Sequence, residues 1–303
     1  MNAVNLPVAT VAVKPNISVI AIDAQDEINQ RACGRITMWS LGGDVTVGAL
    51  TEALKRAGSA ALPPDEPSAL VALHRAVEGV AKTLGHLDVH HLGRGEWAIV
   101  GSASERQAES ADASVQRQLV YSIECTAKVV REGDSERLEI QGRGEEQIRA
   151  AYNAAKTCLA PSDIGTWLTE KAAKLDAVAL RDRGGVYFVP KPTVHKWEHI
   201  IAALKACSRH AVHVIPAMRS ADAVEAILAA VTDDTRTACG RIVADIGDGT
   251  LGTKALGNRE KVTAELLDRV ERYEELLGAR LDALRSVLDE TRAAVATAKL
   301  AAG

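Results

Sequence analysis

Two stretches of the 303-residue chain share one outline and decide the fold. They read Leu87-Asp-Val-His-His-Leu-Gly-Arg-Gly-Glu-Trp-Ala-Ile-Val100 and Leu175-Asp-Ala-Val-Ala-Leu-Arg-Asp-Arg-Gly-Gly-Val-Tyr-Phe-Val189. Each begins with Leu-Asp, continues as a short apolar run, turns at glycine and arginine, and ends in a second apolar run. Glycine between two short apolar runs predicts a β-hairpin, because it tolerates the backbone conformation of a tight turn.

An amphipathic helix precedes each predicted hairpin. Before the first hairpin, apolar residues recur at helical spacing at Leu70, Leu73, Val77, Val80 and Leu84. Before the second hairpin, the same spacing is found at Ile164, Trp167, Leu168 and Ala172. A helix that leads into a hairpin is the outline of a winged helix. The sequence therefore predicts two winged-helix-like modules, with a generic α+β arrangement as the alternative.

The segment between the two modules contains an aperiodic polar stretch followed by a stretch of alternating apolar and polar residues. Residues 101–115 (GSASERQAESADASV) are small and polar without any period, which predicts a linker or loop. A strictly alternating run follows, and Arg137–Ile140 can pair back on it across a turn, so the sequence predicts a β-meander. Alternation predicts one buried and one solvated face. The residues expected on the buried face are Leu119, Tyr121, Ile123, Cys125, Ala127 and Val129.

The C-terminal region predicts a long helical arm. A glycine-rich stretch at 247–257 predicts a flexible joint, and Asn258 is a suitable N-cap for a helix that runs to about Ala298. Such a helix needs a partner for its apolar stripe, either elsewhere in the same chain or in a second copy, and Gly278 is where it can bend. We expect self-association through Leu266, Val270, Tyr273, Leu277, Leu281, Leu284 and Leu288.

The pattern as a whole predicts an α+β protein with two winged-helix-like helix-plus-hairpin modules, a central β-meander and a long C-terminal helical or coiled-coil arm. The predicted segments are an N-terminal segment at 1–35, module 1 at 36–101, a linker at 102–117, the meander with module 2 and further helices at 118–246, the joint at 247–257 and the arm at 258–303.

Composition narrows the function classes. The chain holds 36 basic and 40 acidic residues, which disfavours a globally basic nucleic-acid binder. Aromatic residues make up only 3%, too few for extended base-stacking platforms. The five cysteines lie at least 32 residues apart, so no local zinc ribbon or redox dithiol is encoded. The sequence carries neither a secretion signal nor a membrane-spanning run, so we expect a cytoplasmic protein without a cofactor and without a membrane partner.

One stretch matches a catalytic motif. His195-Lys-Trp-Glu198-His199 has the HxxEH spacing of an inverted zinc-protease site, in which two histidines one helical turn apart share the metal. On a helix, however, His195 and His199 lie opposite the apolar stripe that contains Trp197 and Ile201. We therefore expect two surface histidines, and a zinc hydrolase that uses His195, Glu198 and His199 remains an alternative.

The hairpin turns supply the remaining candidates for contact with a partner. These are Arg94, Arg181 and Arg183 in the turns, with Lys191 and Lys196 close by in the sequence. Arginine at a wing tip can reach a phosphate or the minor groove. The first alternative is therefore a DNA-associated winged-helix protein that uses its second module, with Arg181, Arg183, Lys191 and Lys196 on phosphates, ahead of the zinc hydrolase. Residues 40–101 hold five basic and seven acidic side chains, and residues 161–206 hold seven and five. Modules with so little net charge favour a protein partner.

The segments Gly185-Val-Tyr-Phe-Val-Pro190 and Arg272-Tyr-Glu-Glu-Leu-Leu-Gly278 resemble those of a family of bacterial and phage proteins of unknown function. The resemblance spans most of the chain after residue 36 and implies no activity. The expectation from the sequence is a non-catalytic intracellular adaptor or scaffold that self-assembles through its C-terminal helix and binds a protein partner through its modules.

Overall fold

The chain forms an α+β fold, as predicted, with three antiparallel sheets and a C-terminal helical region. A computed structural model describes residues 27–28, 31–85, 87–106, 117–133, 135–182 and 184–302. The strands are β1 (Ala32–Ser40), β2 (Val45–Thr46), β3 (Asp88–Gly93), β4 (Glu96–Arg106), β5 (Arg117–Glu132), β6 (Ser135–Gly142), β7 (Cys158–Leu159), β8 (Val178–Ala179), β9 (Val186–Pro190) and β10 (Ala211–Met218). The helices are α1 (Val47–Arg56), α2 (Ala69–Thr83), α3 (Glu145–Ala155), α4 (Pro161–Lys174), α5 (Val194–Cys207), α6 (Ala221–Gly247), α7 (Thr253–Leu277) and α8 (Asp282–Ala301).

Two compact units make up the described chain. The ribbon unit comprises residues 39–174 and 195–212, and the bundle unit comprises the described residues up to 38 together with 175–194 and 213–302. Both units contain segments that are distant in sequence, so the units do not follow the consecutive segments expected from the sequence. The predicted N-terminal segment lies largely outside the described residues.

In the ribbon unit, a four-stranded sheet carries two helices on one face. The strand order is β3-β4-β5-β6, and α2 and α3 pack on the sheet through one apolar core. Ser68 caps α2 by accepting a hydrogen bond from the Val71 N–H. Of the apolar positions predicted for α2, Leu70 is exposed, whereas those facing the sheet are buried. The core residues at its centre are Leu73, Val77, Ile99, Cys125, Ala127 and Ile148.

Helix α4 is fixed to α2 and to the preceding loop in the same unit. The Arg75 guanidinium pairs with Asp163 at 2.8 Å, and Asp163 also accepts from the Ala160 N–H at 2.9 Å. The second contact satisfies a backbone donor at the start of α4. Trp167 is buried, and its Nε1–H donates to the Leu62 carbonyl at 2.8 Å. These polar contacts fix the position of α4, which is the helix predicted for the second module.

In the bundle unit, the sheet order is β10-β1-β9-β8, and helices α6, α7 and α8 share a core with it. Phe188, the single phenylalanine of the chain, is fully buried and lies 6.2 Å from the Tyr273 ring. Gly34 pairs with Pro190 on the neighbouring strand. A Cβ at residue 34 would lie 2.3 Å from the Val189 carbonyl oxygen, so only glycine allows this close approach of β1 and β9.

Both predicted hairpins form, but each is part of a larger sheet. Strands β3 and β4 are joined by the two-residue turn Arg94-Gly95, in which both residues have positive φ, as a tight hairpin turn requires. Strand β8 pairs with β9, and β9 continues the sheet by pairing with β1. The winged-helix assignment of the two modules stays a prediction.

The predicted linker and joint are shorter than expected. Strand β4 runs through Arg106 and β5 begins at Arg117, so most described residues of the predicted linker 102–117 are strand. Helix α6 extends to Gly247 and α7 begins at Thr253, which leaves 248–252 between them. Much of the predicted joint is therefore helical.

The predicted C-terminal helical region forms, and it bends at Gly278, the position predicted from the sequence. Helix α7 ends at Leu277, and Gly278 adopts the left-handed conformation with φ of 67°, after which α8 begins at Asp282. The two helices fold back against each other and against α6. Of the seven residues expected to pair with a second copy, Leu266 and Leu281 pack on the bundle core, and the other five are at most 5% exposed. The chain itself therefore covers this stripe, as in the alternative in which the helix packs on its own chain, and self-association through these residues stays a prediction.

Polar contacts fix the turn between α7 and α8. The Glu274 carboxylate accepts from the Leu281 N–H at 2.7 Å and from Arg285 Nε at 3.0 Å. The hydrogen bond from Arg285 holds the pKa of Glu274 below its ordinary value. Arg219 donates to the Leu276 carbonyl at the end of α7, where the helix leaves acceptors unpaired.

A buried histidine lies in the ribbon unit. His210 is 4% exposed, and its Nδ1 accepts a hydrogen bond from the Gly42 N–H at 3.2 Å. Its Nε2 is buried and has no hydrogen-bond partner among the described residues. Burial lowers the pKa of His210, and the charge of Asp44 opposes part of that shift. At neutral pH, the folded protein therefore keeps this imidazole uncharged.

A pair of glycine substitutions tests the break between α7 and α8. We expect Gly278→Ala to lower the free energy of unfolding by roughly 1 kcal/mol, because alanine is strained in the left-handed conformation. Gly240→Ala should instead raise it by about 0.5–1 kcal/mol, since Gly240 is exposed inside α6 and its added Cβ would contact nothing within 4 Å. Urea unfolding followed by helical circular dichroism measures both. Equal effects of the two substitutions would contradict the assigned turn.

The neutral His210 predicts a loss of stability in mild acid. Because its folded pKa is lowered, its contribution to stability is fully present above the ordinary histidine value near 6.5, and it is lost as the pH falls from that value through the lowered pKa of the folded state. We expect His210→Gln, which keeps an acceptor for Gly42, to lose less stability than the wild type between pH 7.5 and pH 5. All four tryptophans lie in the ribbon unit, so their fluorescence in urea reports its unfolding. The exposed His195→Gln is the control and should follow the wild type.

Candidate protein-interaction site

Strands β4 and β5 continue beyond the rest of their sheet as a two-stranded ribbon. Pairing of β3 with β4 reaches only Val100, and pairing of β6 with β5 reaches only Cys125. The pairing of β4 with β5 continues until Arg106 lies opposite Arg117. We call residues 101–106 and 117–124 the β-ribbon. Among the described residues, neither of its outer edges has a neighbouring strand.

A close backbone contact determines where β6 leaves β5. Gly142, the last residue of β6, has φ of 119°, and a Cβ there would lie 2.3 Å from the Glu124 carbonyl oxygen. The next residue, Arg143, donates its backbone N–H to that same carbonyl at 2.8 Å. Only glycine fits this conformation and this distance. Beyond Glu124, the outer edge of β5 is therefore without β6.

A β-bulge at the same place reverses the faces of β5. Ile99 pairs with Cys125, but the next residue of β4, Val100, pairs with Ile123, so Glu124 is the extra residue. Paired residues share a face, and consecutive residues of β4 lie on opposite faces. Ile123 therefore lies on the face opposite to Cys125. The bulge places Tyr121 and Ile123 on the face turned away from α2 and α3.

Exposure follows this reversal. Cys125, Ala127 and Val129 are buried, as the alternating pattern predicts. Tyr121 and Ile123 are 64% and 63% exposed, so the prediction that they are buried is wrong. The side chain of Leu119, expected on the same face, lies outside the described part. The β-ribbon thus presents two large apolar side chains to solvent next to an unpaired backbone edge.

The charge of this segment disfavours nucleic acid as a partner. Residues 101–124 contain two basic residues, Arg106 and Arg117, against four acidic ones. Two-stranded ribbons that bind nucleic acid need positive charge to neutralise phosphates. Apolar side chains beside unpaired backbone groups are typical of strand addition by another polypeptide. The arrangement suits a protein partner better than DNA.

The contact residues predicted from the hairpin turns are spread over both units. Arg94 and Lys196 are exposed in the ribbon unit. Arg181 and Lys191 are exposed in the bundle unit, and the Arg181 guanidinium lies against Gly184, where a Cβ would approach it to 1.9 Å. Arg183 lies outside the described residues. The role of these five residues in binding stays a prediction.

The HxxEH residues lie on the outer face of α5. His195, Glu198 and His199 are exposed, whereas Trp197 and Ile201 between and after them are buried, as the helical spacing predicts. A catalytic zinc site has its ligands around a cleft with an open coordination position. In the described part of the chain, no three histidine, cysteine or acidic residues are grouped so that they could hold a metal ion.

Sequence patterns alone did not reveal the exposure of Tyr121 and Ile123. A strand that contains a bulge can have the same unbroken alternation of apolar and polar residues as a regular strand, because the extra residue need not be of any particular type. Two signals were available: the glycine at residue 142, and the uncharged run at 118–123 in an otherwise charged region. Neither locates a bulge without the register of the neighbouring strands.

None of the helices in the described ranges is both long enough and apolar enough to cross a membrane. Neither a curated protein nor a solved structure matches the chain. A family model does match, over residues 32–302, which confirms the expected resemblance to a family of unknown function. The bacterial or phage origin of that family stays a prediction. Since the match covers most of the 303 residues, the chain belongs to the family of unknown function DUF6744.

Proposed function

We propose that this protein is a non-catalytic adaptor that binds another polypeptide through its β-ribbon. The observation that carries the proposal is the exposure of Tyr121 and Ile123 on a strand whose outer edge lacks a neighbour among the described residues. Complete burial of an isoleucine contributes about 1.5–3 kcal/mol. A partner that covers both side chains therefore gains substantial free energy at this surface.

The β-ribbon supports two kinds of contact at once. Its edge can form backbone hydrogen bonds with an added strand, which supplies affinity independent of side chains. Its apolar face, formed by Tyr121, Ile123 and the half-buried Val100, can select the partner by shape. Tyrosine at such a position adds contact area and a hydroxyl for one hydrogen bond, at a low cost in conformational entropy. This combination suits an adaptor.

The remaining features fit a binding role inside the cell. All five cysteines are unpaired, as is usual in reducing compartments, so a cytoplasmic location is part of the proposal. The C-terminal helices pack on one another within the bundle unit, whereas the β-ribbon has an edge without a neighbouring strand among the described residues, so we assign self-assembly to the β-ribbon. Self-assembly is thereby assigned to a different element from the one expected from the sequence.

Site-specific photo-crosslinking tests this function. A photoreactive phenylalanine analogue placed at residue 121 in the full chain should form covalent adducts with a polypeptide in the cell that makes the protein. The same analogue at Leu92 is the control, since Leu92 is 50% exposed on β3 of the same sheet. We expect at least several times more adduct from residue 121, and mass spectrometry of the adducts identifies the partner.

Two outcomes would count against the adaptor. Equal yields from residues 121 and 92 would show that the β-ribbon has no special affinity for protein. Adducts with nucleic acid in place of polypeptide would favour the DNA-associated alternative. The circular dichroism spectrum of each substituted protein should match that of the wild type, because both positions are largely exposed.

A further inference from the structure

We infer that the polypeptide bound by the β-ribbon is a second copy of this chain, paired edge to edge through residues 117–123 of β5. This inference rests on the proposed function and specifies its partner. Three observations support it: this edge lacks the protection that the other sheet edges have, its length suits a strand pair, and its charges favour antiparallel pairing with itself.

The other edges of the described sheets carry features that oppose pairing, and the free edge of β4 at 101–106 contains the charged Glu105 and Arg106. Strand β10 contains Pro216, and β3 has an irregular register between His91 and Gly93. Strand β6 carries three charged residues, Glu136, Arg137 and Glu139. Strand β8 is only two residues long. Proline, charge, bulges and shortness are the usual means by which edge strands avoid unwanted partners. Residues 118–123 contain no proline and no charge.

The length of the edge is that of an ordinary strand. Residues 117–123 span about 23 Å at roughly 3.3 Å per residue, and typical strands have 5–6 residues. The edge begins where Gly142 and Arg143 turn β6 away, so an added strand that runs antiparallel to β5 would follow in line with β6. The added strand would take up the backbone groups that β6 leaves.

Charge selects the direction of self-pairing. The uncharged run is bracketed by residues of opposite sign, Arg117 at its start and Glu124 at its end. In an antiparallel pair of two copies, the positive end of one strand lies beside the negative end of the other. A parallel pair would bring like charges together at both ends, which is unfavourable. The edge is therefore complementary to itself in the antiparallel direction.

Symmetry then fixes the register. A two-fold axis between antiparallel strands runs perpendicular to the sheet, so each residue pairs with a residue of the same parity. The register that uses the whole of 117–123 places Val120 opposite Val120 of the second copy, and Ser122 opposite residue 118. The result is a four-stranded sheet in which Tyr121 and Ile123 from both copies lie on one face. Such a contact is isologous, as in most homodimers.

Cysteine cross-linking tests this register. Val120→Cys should give a disulfide-linked dimer of twice the 32.1 kDa chain mass under mild oxidation, because opposite residues lie about 4.5–5.5 Å apart between Cα atoms, within disulfide range. Ser122→Cys is the matched control two residues away, also exposed. Its two copies would be about 13 Å apart along the strands and should not link. The wild type, with five native thiols, sets the background.

Light scattering after size-exclusion chromatography provides the second measurement. We expect the full chain to be a dimer, and Val120→Lys to weaken it about tenfold or more in Kd, because two lysines would face each other across the axis. Leu92→Lys, with the same charge change on the same sheet, should leave the dimer intact. A full chain that is monomeric at high concentration, or equal cross-linking from residues 120 and 122, would overturn the inference.

The failure of this inference is distinguishable from the failure of the proposed function. A monomeric chain whose residue 121 still forms adducts with a different polypeptide would refute the second copy and retain the adaptor. A monomeric chain without any such adduct would refute both.

Discussion

The contact between Gly142 and the backbone at Glu124 is the constraint on which the interaction surface depends. It brings β6 so close to β5 that no side chain fits at residue 142, and it coincides with the bulge that inserts Glu124 into β5. The first effect ends β6, and the second transfers the apolar residues of β5 to the other face. Either effect alone would give a different molecule. Without the bulge, Tyr121 and Ile123 would extend the face that α2 and α3 cover. Without the departure of β6, the edge of β5 would be occupied.

The hairpins and the amphipathic helices were predictable because their determinants are local. Gly95 after Arg94 is a direct mark of a two-residue turn, and the spacing of Leu73, Val77 and Val80 indicates which face of α2 is buried. The exposed positions of His195 and His199 followed from helical geometry alone. The bulge and the fold-back of the C-terminal helices were not predictable in the same way. A bulge is defined by the register of two strands, and the choice between covering an apolar stripe internally or with a second copy depends on where α6 lies.

The C-terminal region shows how one residue divides an element. The apolar stripe continues from Leu266 to Leu288 without a gap in its period, which is why the sequence predicts one long helical arm with Gly278 as the place where it can bend. Gly278 accommodates the left-handed conformation at little cost, and Glu274 then satisfies the backbone of the following turn. Once the chain can reverse there, the stripe covers itself, and the intramolecular contact needs no second molecule to be brought near. A stripe with this period therefore does not by itself indicate a coiled-coil dimer.

An edge strand without protective features carries a risk of aggregation. The presence of such an edge at residues 118–123 of β5, when the other sheet edges have protective features, therefore needs a physical reason. The edges of the bundle sheet and the remaining edges of the ribbon sheet are short, charged, irregular or interrupted by Pro216. Protection of this kind needs only a single substitution within 118–123, since a charged residue such as lysine on an edge strand opposes pairing with another chain. The edge at 118–123 contains no charged residue and lies next to the exposed side chains of Tyr121 and Ile123. These are the properties of a surface through which the molecule binds a partner. The opposite charges of Arg117 and Glu124 then restrict that contact, since they favour one direction of pairing and disfavour the parallel stacking from which fibres grow.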